Sequence, residues 1–305
     1  MRPPRPWPAI VGPTASGKTG VATEVARRFG WEVLSCDSML VYRGMDVGTA
    51  KPTSREIRSV PHHLIDLAEP EEPFSVARFQ AEAHSALDDL GARGVEPLIA
   101  GGSGLYFRAL VDDLSFPGTD ADTRSQLEAE SLAGIERLYE RLSDLDPEAA
   151  AKIEPGNIRR TVRALEVPAI TGELFSSFAQ AWEEYPPGNV RAAGIRIPRE
   201  VLGDRIAERV EWMLANGFLE EVRGLLRRGF GDWLTSSQAI GYAEMALHIQ
   251  GRSTLEEAVA GTVKRTKALA RRQVAWFNRD PRIHWFDCED PAEVTDAIAG
   301  YLGET

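Results

Sequence analysis

Along the first hundred residues the spacing of apolar positions switches repeatedly between two periods. Pro8–Val11 is a short apolar run that ends at a glycine, as a buried strand does. From Lys18 to Arg28 the spacing is helical, and Val21, Val25 and Phe29 are expected to form one inward stripe. Glu32–Cys36 reads as a second strand with Asp37 at its carboxyl end. Residues 42–61 are rich in Gly, Pro and Thr and read as one long loop, and His62–Asp66 as a short strand. Ser75 can cap a helix running to Leu90, with Val76, Phe79, Ala83 and Leu87 on one face. Glu96–Ala100 is a further strand, leading through Gly101-Gly102-Ser103-Gly104 into a helix from Leu105. Strands alternating with helices predict a parallel α/β sheet.

The pattern changes at Phe116-Pro117-Gly118. From Asp120 to about Gly172 every apolar period is helical. Pro168 is expected to end or kink the last of these helices, because proline lacks the N–H that a helix interior uses. A strand returns at Val190–Ile197. Helices follow over 199–216, 217–228, 238–250 and 254–278, then a strand at Arg282–Phe286 and a final helix. The expected organisation is a core of residues 1–114 and 189–305, interrupted by a helical insertion domain at 115–188.

Composition changes this picture little. The 305 residues are 43% hydrophobic and 27% charged, ordinary for a chain that builds a core. No apolar run approaches the roughly 20 residues that span a bilayer. The opening MRPPRPWPAIVG is basic and Pro-rich, with too short an apolar stretch for a signal peptide. No membrane partner and a cytoplasmic location are therefore expected. Cys36 and Cys288 stand in no Cys/His cluster and read as reduced thiols in or near a core. His62 and His63, adjacent on a strand, point to opposite faces and do not readily share one metal ion.

The formal net charge of −11 argues against a nucleic-acid partner. Yet Ala258–Arg279 holds Lys264, Arg265, Lys267, Arg271, Arg272 and Arg279 and no acid, and Arg159, Arg160 and Arg163 form a second basic group. Each group reads either as a solvated helix face or as a grip on RNA phosphates.

The chemistry starts at Gly12-Pro13-Thr14-Ala15-Ser16-Gly17-Lys18-Thr19, a full match to the phosphate loop G-x-x-x-x-G-K-[ST] between a strand and a helix. A chance match in a chain this long is on the order of one per cent. Backbone N–H groups and the helix N-terminus cradle phosphate, Lys18 adds a full charge, and the Thr19 hydroxyl helps to hold Mg²⁺. The fold class is thus α/β, a P-loop NTPase-like parallel sheet flanked by helices, with a helical insertion domain. The loop does not specify ATP: Leu98-Ile99-Ala100 runs into glycines without the acid that many P-loop ATPases carry on a core strand. Asp37 suits a base facing an acceptor, or a carboxylate near Mg²⁺. A small-molecule kinase and an RNA-binding regulator both remain open at this point.

Further blocks narrow the choice. Together with the phosphate loop and Asp37-Ser38 they are Tyr42-Arg43-Gly44-Met45-Asp46-Val47-Gly48-Thr49-Ala50-Lys51-Pro52, His62-His63-Leu64-Ile65-Asp66, Gly101-Gly102-Ser103-Gly104-Leu105-Tyr106, Arg163-Ala164-Leu165-Glu166-Val167, Gln238-Ala239-Ile240-Gly241-Tyr242 and Ala270-Arg271-Arg272-Gln273. In this order, over almost the whole chain, they resemble the bacterial type of the tRNA dimethylallyltransferase (tRNA isopentenyltransferase) family.

The resemblance implies transfer of a dimethylallyl group from dimethylallyl diphosphate to the exocyclic N6 amine of the adenosine 3′-adjacent to the anticodon. Mg²⁺ is the implied cofactor, and the tRNA anticodon stem-loop and dimethylallyl diphosphate are the implied partners of a monomer. It makes Asp37 the base, and it adds Thr14 on the donor and Arg209 on the diphosphate; by spacing alone Arg209 reads as a solvent-facing helix residue. Its tRNA contacts fall on Asp37, Ser38, Met39 and Leu40; on Ser103 and Arg124; on Arg159, Arg160, Thr161, Val162 and Arg163; and on Gln238, Ala239, Ile240, Gly241, Tyr242 and Ala243. Met39-Leu40, Ala243, Lys267 and Pro168 depart from the common family pattern.

Overall fold

The computed structural model describes residues 4–303; residues 1–3 and 304–305, at the ends of the expected core, lie outside the described residues. The chain divides into two compact units, one of residues 1–113 with 186–305 and one of residues 114–185.

In the first unit, β1 (Trp7–Val11), α1 (Lys18–Phe29), β2 (Glu32–Ser35), α2 (Ser54–Ser59), β3 (His62–His63), α3 (Val76–Arg93), β4 (Pro97–Gly101) and α4 (Gly104–Val111) precede the helical unit. That unit holds α5 (Ala121–Ala133), α6 (Ile135–Leu145), α7 (Pro147–Lys152) and α8 (Ile158–Thr171). The first unit resumes with β5 (Val190–Arg196), α9 (Arg199–Ala215), α10 (Phe218–Arg227), α11 (Tyr242–Ile249), α12 (Leu255–Phe277), β6 (Ile283–Asp287) and α13 (Thr295–Gly303).

The six strands form one parallel sheet in the order β3-β2-β4-β1-β5-β6. β1 lies between β4 and β5 and is buried along its whole length. Successive side chains of a strand face opposite ways. Ala9 and Val11 therefore pack with Phe79, Leu87, Phe107 and Phe218, while Ile10 joins Val21, Val25, Ile206 and Ile298 on the other side. Covering both faces lets the strands be apolar throughout. The order of strands around β1 leaves the carboxyl ends of β1, β2 and β4 as the place where loops converge, the usual ligand position in an open α/β sheet.

Local structure departs from expectation at identifiable points. Phe29 is 42% exposed and stacks on Trp31 at 4.5 Å; Ala22 and Ala26 complete the buried stripe instead. The expected loop at 42–61 contains α2, started by a reciprocal cap in which the Glu56 amide donates to Thr53 Oγ1 and the Thr53 amide to Glu56 Oε2. The helix expected from 238 begins only at Tyr242, because Gly241 takes a φ of 94°. Pro168 does not end α8, which runs on to Thr171. A proline there forfeits one backbone bond, and the Thr171 hydroxyl adds a local one by donating to Val167 O at 2.7 Å.

The helical unit has its own core of Leu127, Leu138, Leu142, Val162 and Leu165. Inside it lies Glu166, fully buried, which accepts from Arg124 and Arg163 at 2.6 Å each and from the Asp120 amide at 3.0 Å. Burial alone would raise the pKa of this carboxyl. The three donors more than offset that and hold it below its usual value. Among the described residues no helix is long and apolar enough to cross a membrane.

Candidate active site

Gly12–Thr19 leave the end of β1 and turn into α1. Ala15 and Gly17 both have positive φ, 63° and 76°. Glycine is required at 17 twice over, since a Cβ there would overlap the Pro291 ring. The Ser16 amide donates to Pro13 O at 3.3 Å and closes the turn. The Ser16 hydroxyl is buried without a partner. Lys18 Nζ folds back to donate to Pro13 O at 3.1 Å. Burial lowers its pKa to about 8, the Asp37 charge opposes that fall, and the Arg209 charge adds to it. An unpartnered buried hydroxyl, a desolvated cation and a helix N-terminus at one loop are complementary to a bound anion.

A cavity of about 470 Å³ opens beside this loop, lined by Thr14, Asp37, Ser38, Met39, Ser103, Arg209 and Gln273 among others. Asp37 follows β2, and its Oδ1 accepts from the Met39 amide at 2.9 Å, which fixes the carboxylate. Arg209 is half-buried rather than solvent-facing: its guanidinium donates to Thr14 Oγ1 at 3.4 Å and to Thr49 O at 3.2 Å. Burial lowers its pKa and the Asp37 charge opposes this; a guanidinium remains protonated nonetheless. Cys36, one position before Asp37, is buried, and its thiol is pushed far above the usual range, so it carries no nucleophile.

The backbone on the far side of Arg209 is set by Glu221, which sequence reading did not single out. Its carboxylate accepts from the amides of Asp46, Val47 and Gly48 at 2.8, 2.8 and 3.1 Å and from the Tyr242 hydroxyl at 2.5 Å. Gly48 lies so close to the Phe218 and Tyr242 rings that a Cβ would overlap both. Nothing local sets Glu221 apart from Glu220, its neighbour in the first turn of the same amphipathic helix. The glycine-rich block around Gly48 was the one visible sign that something packs closely there.

The residues expected to touch RNA are distributed unevenly. Ser38, Met39, Ser103, Gln238, Ala239, Ile240 and Tyr242 line the cavity; Gly241 and Ala243 do not. Leu40 has a buried side chain. So do Thr161 and Val162, 0% and 3% exposed in the core of the helical unit. Arg163 and Arg124 are committed to Glu166, and Arg163 also donates to the carbonyls of Pro117 and Gly118. Arg159 and Arg160 are exposed. Arg265, singled out from sequence only as part of a basic run, and Arg272, which belongs to that run and to the Ala270–Gln273 block, line the cavity.

Among the described residues no three His, Cys, Asp or Glu side chains gather as a metal cage. His62 Nδ1 is bonded to Val60 O, and His63 pairs with Glu32 at 2.7 Å. A larger hollow of about 930 Å³ beside α9 and α12 shares Ile206 with the cavity but includes neither the phosphate loop nor Asp37.

Comparison with known proteins gives the family of the chain. The family model described as IPP transferase matches residues 40–280. The chain belongs to the IPP transferase family. Among its relatives are the tRNA dimethylallyltransferases of Kineococcus radiotolerans (48% identical, 97% of this chain and 95% of that one) and Pelotomaculum thermopropionicum (43%, 96% and 94%). The solved tRNA isopentenylpyrophosphate transferase of Bacillus halodurans is 41% identical with a TM-score of 0.68 over 97% of this chain and 96% of that one. A eukaryotic dimethylallyltransferase described as acting on tRNA is 25% identical with a TM-score of 0.78 over 96% and 76%. The family match takes in Asp46–Gly48, Arg209, Glu221 and Gln273, and the relatives' coverage also takes in the phosphate loop.

Proposed function

We propose that this chain transfers a dimethylallyl group from dimethylallyl diphosphate to N6 of the adenosine 3′-adjacent to the anticodon of tRNA, releasing diphosphate, and that it does so as a cytoplasmic monomer. The observation that carries the reading is one cavity bounded by an anion-binding loop, a fixed carboxylate at Asp37 and the Arg209 guanidinium.

The adenine amine is a poor nucleophile, because its lone pair is delocalised into the ring. It needs orientation and a base at the moment its proton becomes acidic. As the bond from N6 to the allylic carbon forms, the carbon–oxygen bond to the diphosphate breaks with its electron pair on oxygen, and the N6 proton passes to Asp37. Lys18, the loop amides, the α1 N-terminus and Arg209 meet the charge growing on the leaving group, which is electrostatic catalysis by preorganised donors. Thr14 orients the donor beside Arg209.

The Asp37 carboxylate on the cavity wall and the Thr19 hydroxyl in the first turn of α1 are hard oxygen donors of the kind Mg²⁺ takes. Mg²⁺ would be held by Thr19 and the diphosphate oxygens, and when bound it neutralises leaving-group charge. Drawing the adenine out of its stack costs a few kcal/mol, offset by contacts along Ser38, Met39, Ser103, Gln238, Ala239 and Ile240. Exposed Arg159 and Arg160 on the helical unit and Arg272 on α12 supply phosphate contacts, in keeping with salt-dependent binding.

Incubation with dimethylallyl diphosphate and unmodified tRNA, followed by mass analysis of the nucleosides, is expected to yield isopentenyladenosine. Binding of tRNA without product would favour a regulator, and phosphate transfer from ATP to a small acceptor a kinase; either result would sink the proposal. Asp37→Ala should abolish product while tRNA affinity stays nearly unchanged, and undiminished turnover would remove Asp37 from the role of base.

A further inference from the structure

Gln273 stands on α12, in a 23-residue helix, and reaches both sides of the cavity at once. Its Oε1 accepts from the Thr14 amide in the phosphate loop at 2.8 Å, and its Nε2 donates to Gly102 O, in the loop after β4, at 2.9 Å. Flipping the amide would set donor against donor and acceptor against acceptor, so only one orientation satisfies both partners. The fit is close: a Cβ on Gly102 would lie 2.5 Å from Nε2. Each anchored loop leads directly to a reacting side. Thr14 holds Arg209 through its hydroxyl, while Gly102 precedes Ser103, whose amide donates to Cys36 O beside Asp37 at 3.1 Å.

We infer that Gln273 is a positioning residue that sets the distance between the diphosphate cradle and the acceptor wall. It turns the Thr14 amide away from the phosphates, so that the amides beyond Thr14, together with Lys18, take the anion in one fixed geometry. This inference rests on the transfer reaction proposed above for its catalytic consequence, but not for its effect on anion binding.

Gln273→Met keeps the length and removes both bonds; Gly102→Ala perturbs the same contact from the opposite end. The test measures calorimetric binding of pyrophosphate with Mg²⁺, tRNA affinity, thermal midpoint, and kcat and KM for dimethylallyl diphosphate. The expected result is a 10- to 100-fold loss in pyrophosphate affinity and in kcat/KM for the donor in both variants, with tRNA affinity within twofold and the thermal midpoint within a few degrees. Gln273→Glu, which keeps the acceptor but not the donor, should recover neither value. Pyrophosphate affinity within threefold of the parent in Gln273→Met, or an equal loss of tRNA affinity and stability, would overturn the inference. If Gln273→Met does not fold, Gly102→Ala decides by the same criteria. Should the parent itself transfer no prenyl group, the proposed reaction falls while the pyrophosphate comparison still judges Gln273.

Discussion

The depressed pKa of Lys18 makes donor binding depend on pH in a calculable way. Folding lowers this lysine from its ordinary 10.5 to about 8, through burial first and the Arg209 charge second, with Asp37 opposing. In the free enzyme the ammonium is then about nine-tenths protonated at pH 7 and about one-tenth at pH 9. If the diphosphate binds the protonated form, the apparent Kd rises about tenfold between those values, or about 1.4 kcal/mol. Binding should also take up about half a proton at pH 8 and nearly a whole one at pH 9. Calorimetry of dimethylallyl diphosphate with Mg²⁺ and without tRNA, in buffers of differing ionisation enthalpy, measures both. Lys18→Met should bind weakly and without this slope. The sign is opposite for stability. The unfolded chain holds the extra proton between pH 8 and 10.5, so this site favours folding more as pH rises through that window, while donor affinity falls. A parent Kd that moves less than threefold from pH 7 to 9, or an identical slope in Lys18→Met, would refute the reasoning.

Three further outcomes follow from packing and charge. Glu166→Gln leaves Arg124 and Arg163 without their fully buried carboxylate, and because both guanidiniums keep some contact with water the loss should be about 2–3 kcal/mol in urea unfolding; a change under about 0.5 kcal/mol would show the pairs to be incidental. Glu221→Ala frees three backbone amides and the Tyr242 hydroxyl, so hydrogen exchange at residues 46–48 should accelerate and donor KM should rise through the Thr49–Arg209 contact; unchanged exchange would contradict the assignment. Gly48→Ala drives a methyl into the Phe218 and Tyr242 rings and should cost about 1–3 kcal/mol, visible as a lower thermal midpoint; a neutral result would mean that the rings move aside freely.

Whatever depends on neighbouring residues was legible in the linear chain. The phosphate loop, its strand and helix, the Ser75 cap of α3 and the alternation that packs β1 on both faces are set by local backbone preference and by period. The start of α2 was also written locally, in Thr53 and Glu56, and was lost among the glycines and prolines around it. Tertiary structure decided which side chains meet. Leu40, Thr161 and Val162 lie in blocks that resemblance assigns to RNA, yet they face inward. Arg209 sits on the helix face that reads as solvent-facing, yet it reaches Thr14 across 195 positions. Gln273 bonds to Thr14 across 259, and Glu221 to Gly48 across 173. A periodic pattern tells which face of an element is apolar. It does not say which distant amide will stand opposite a given carboxylate or carboxamide, because that depends on how the sheet and its helices bring remote segments to the same strand ends.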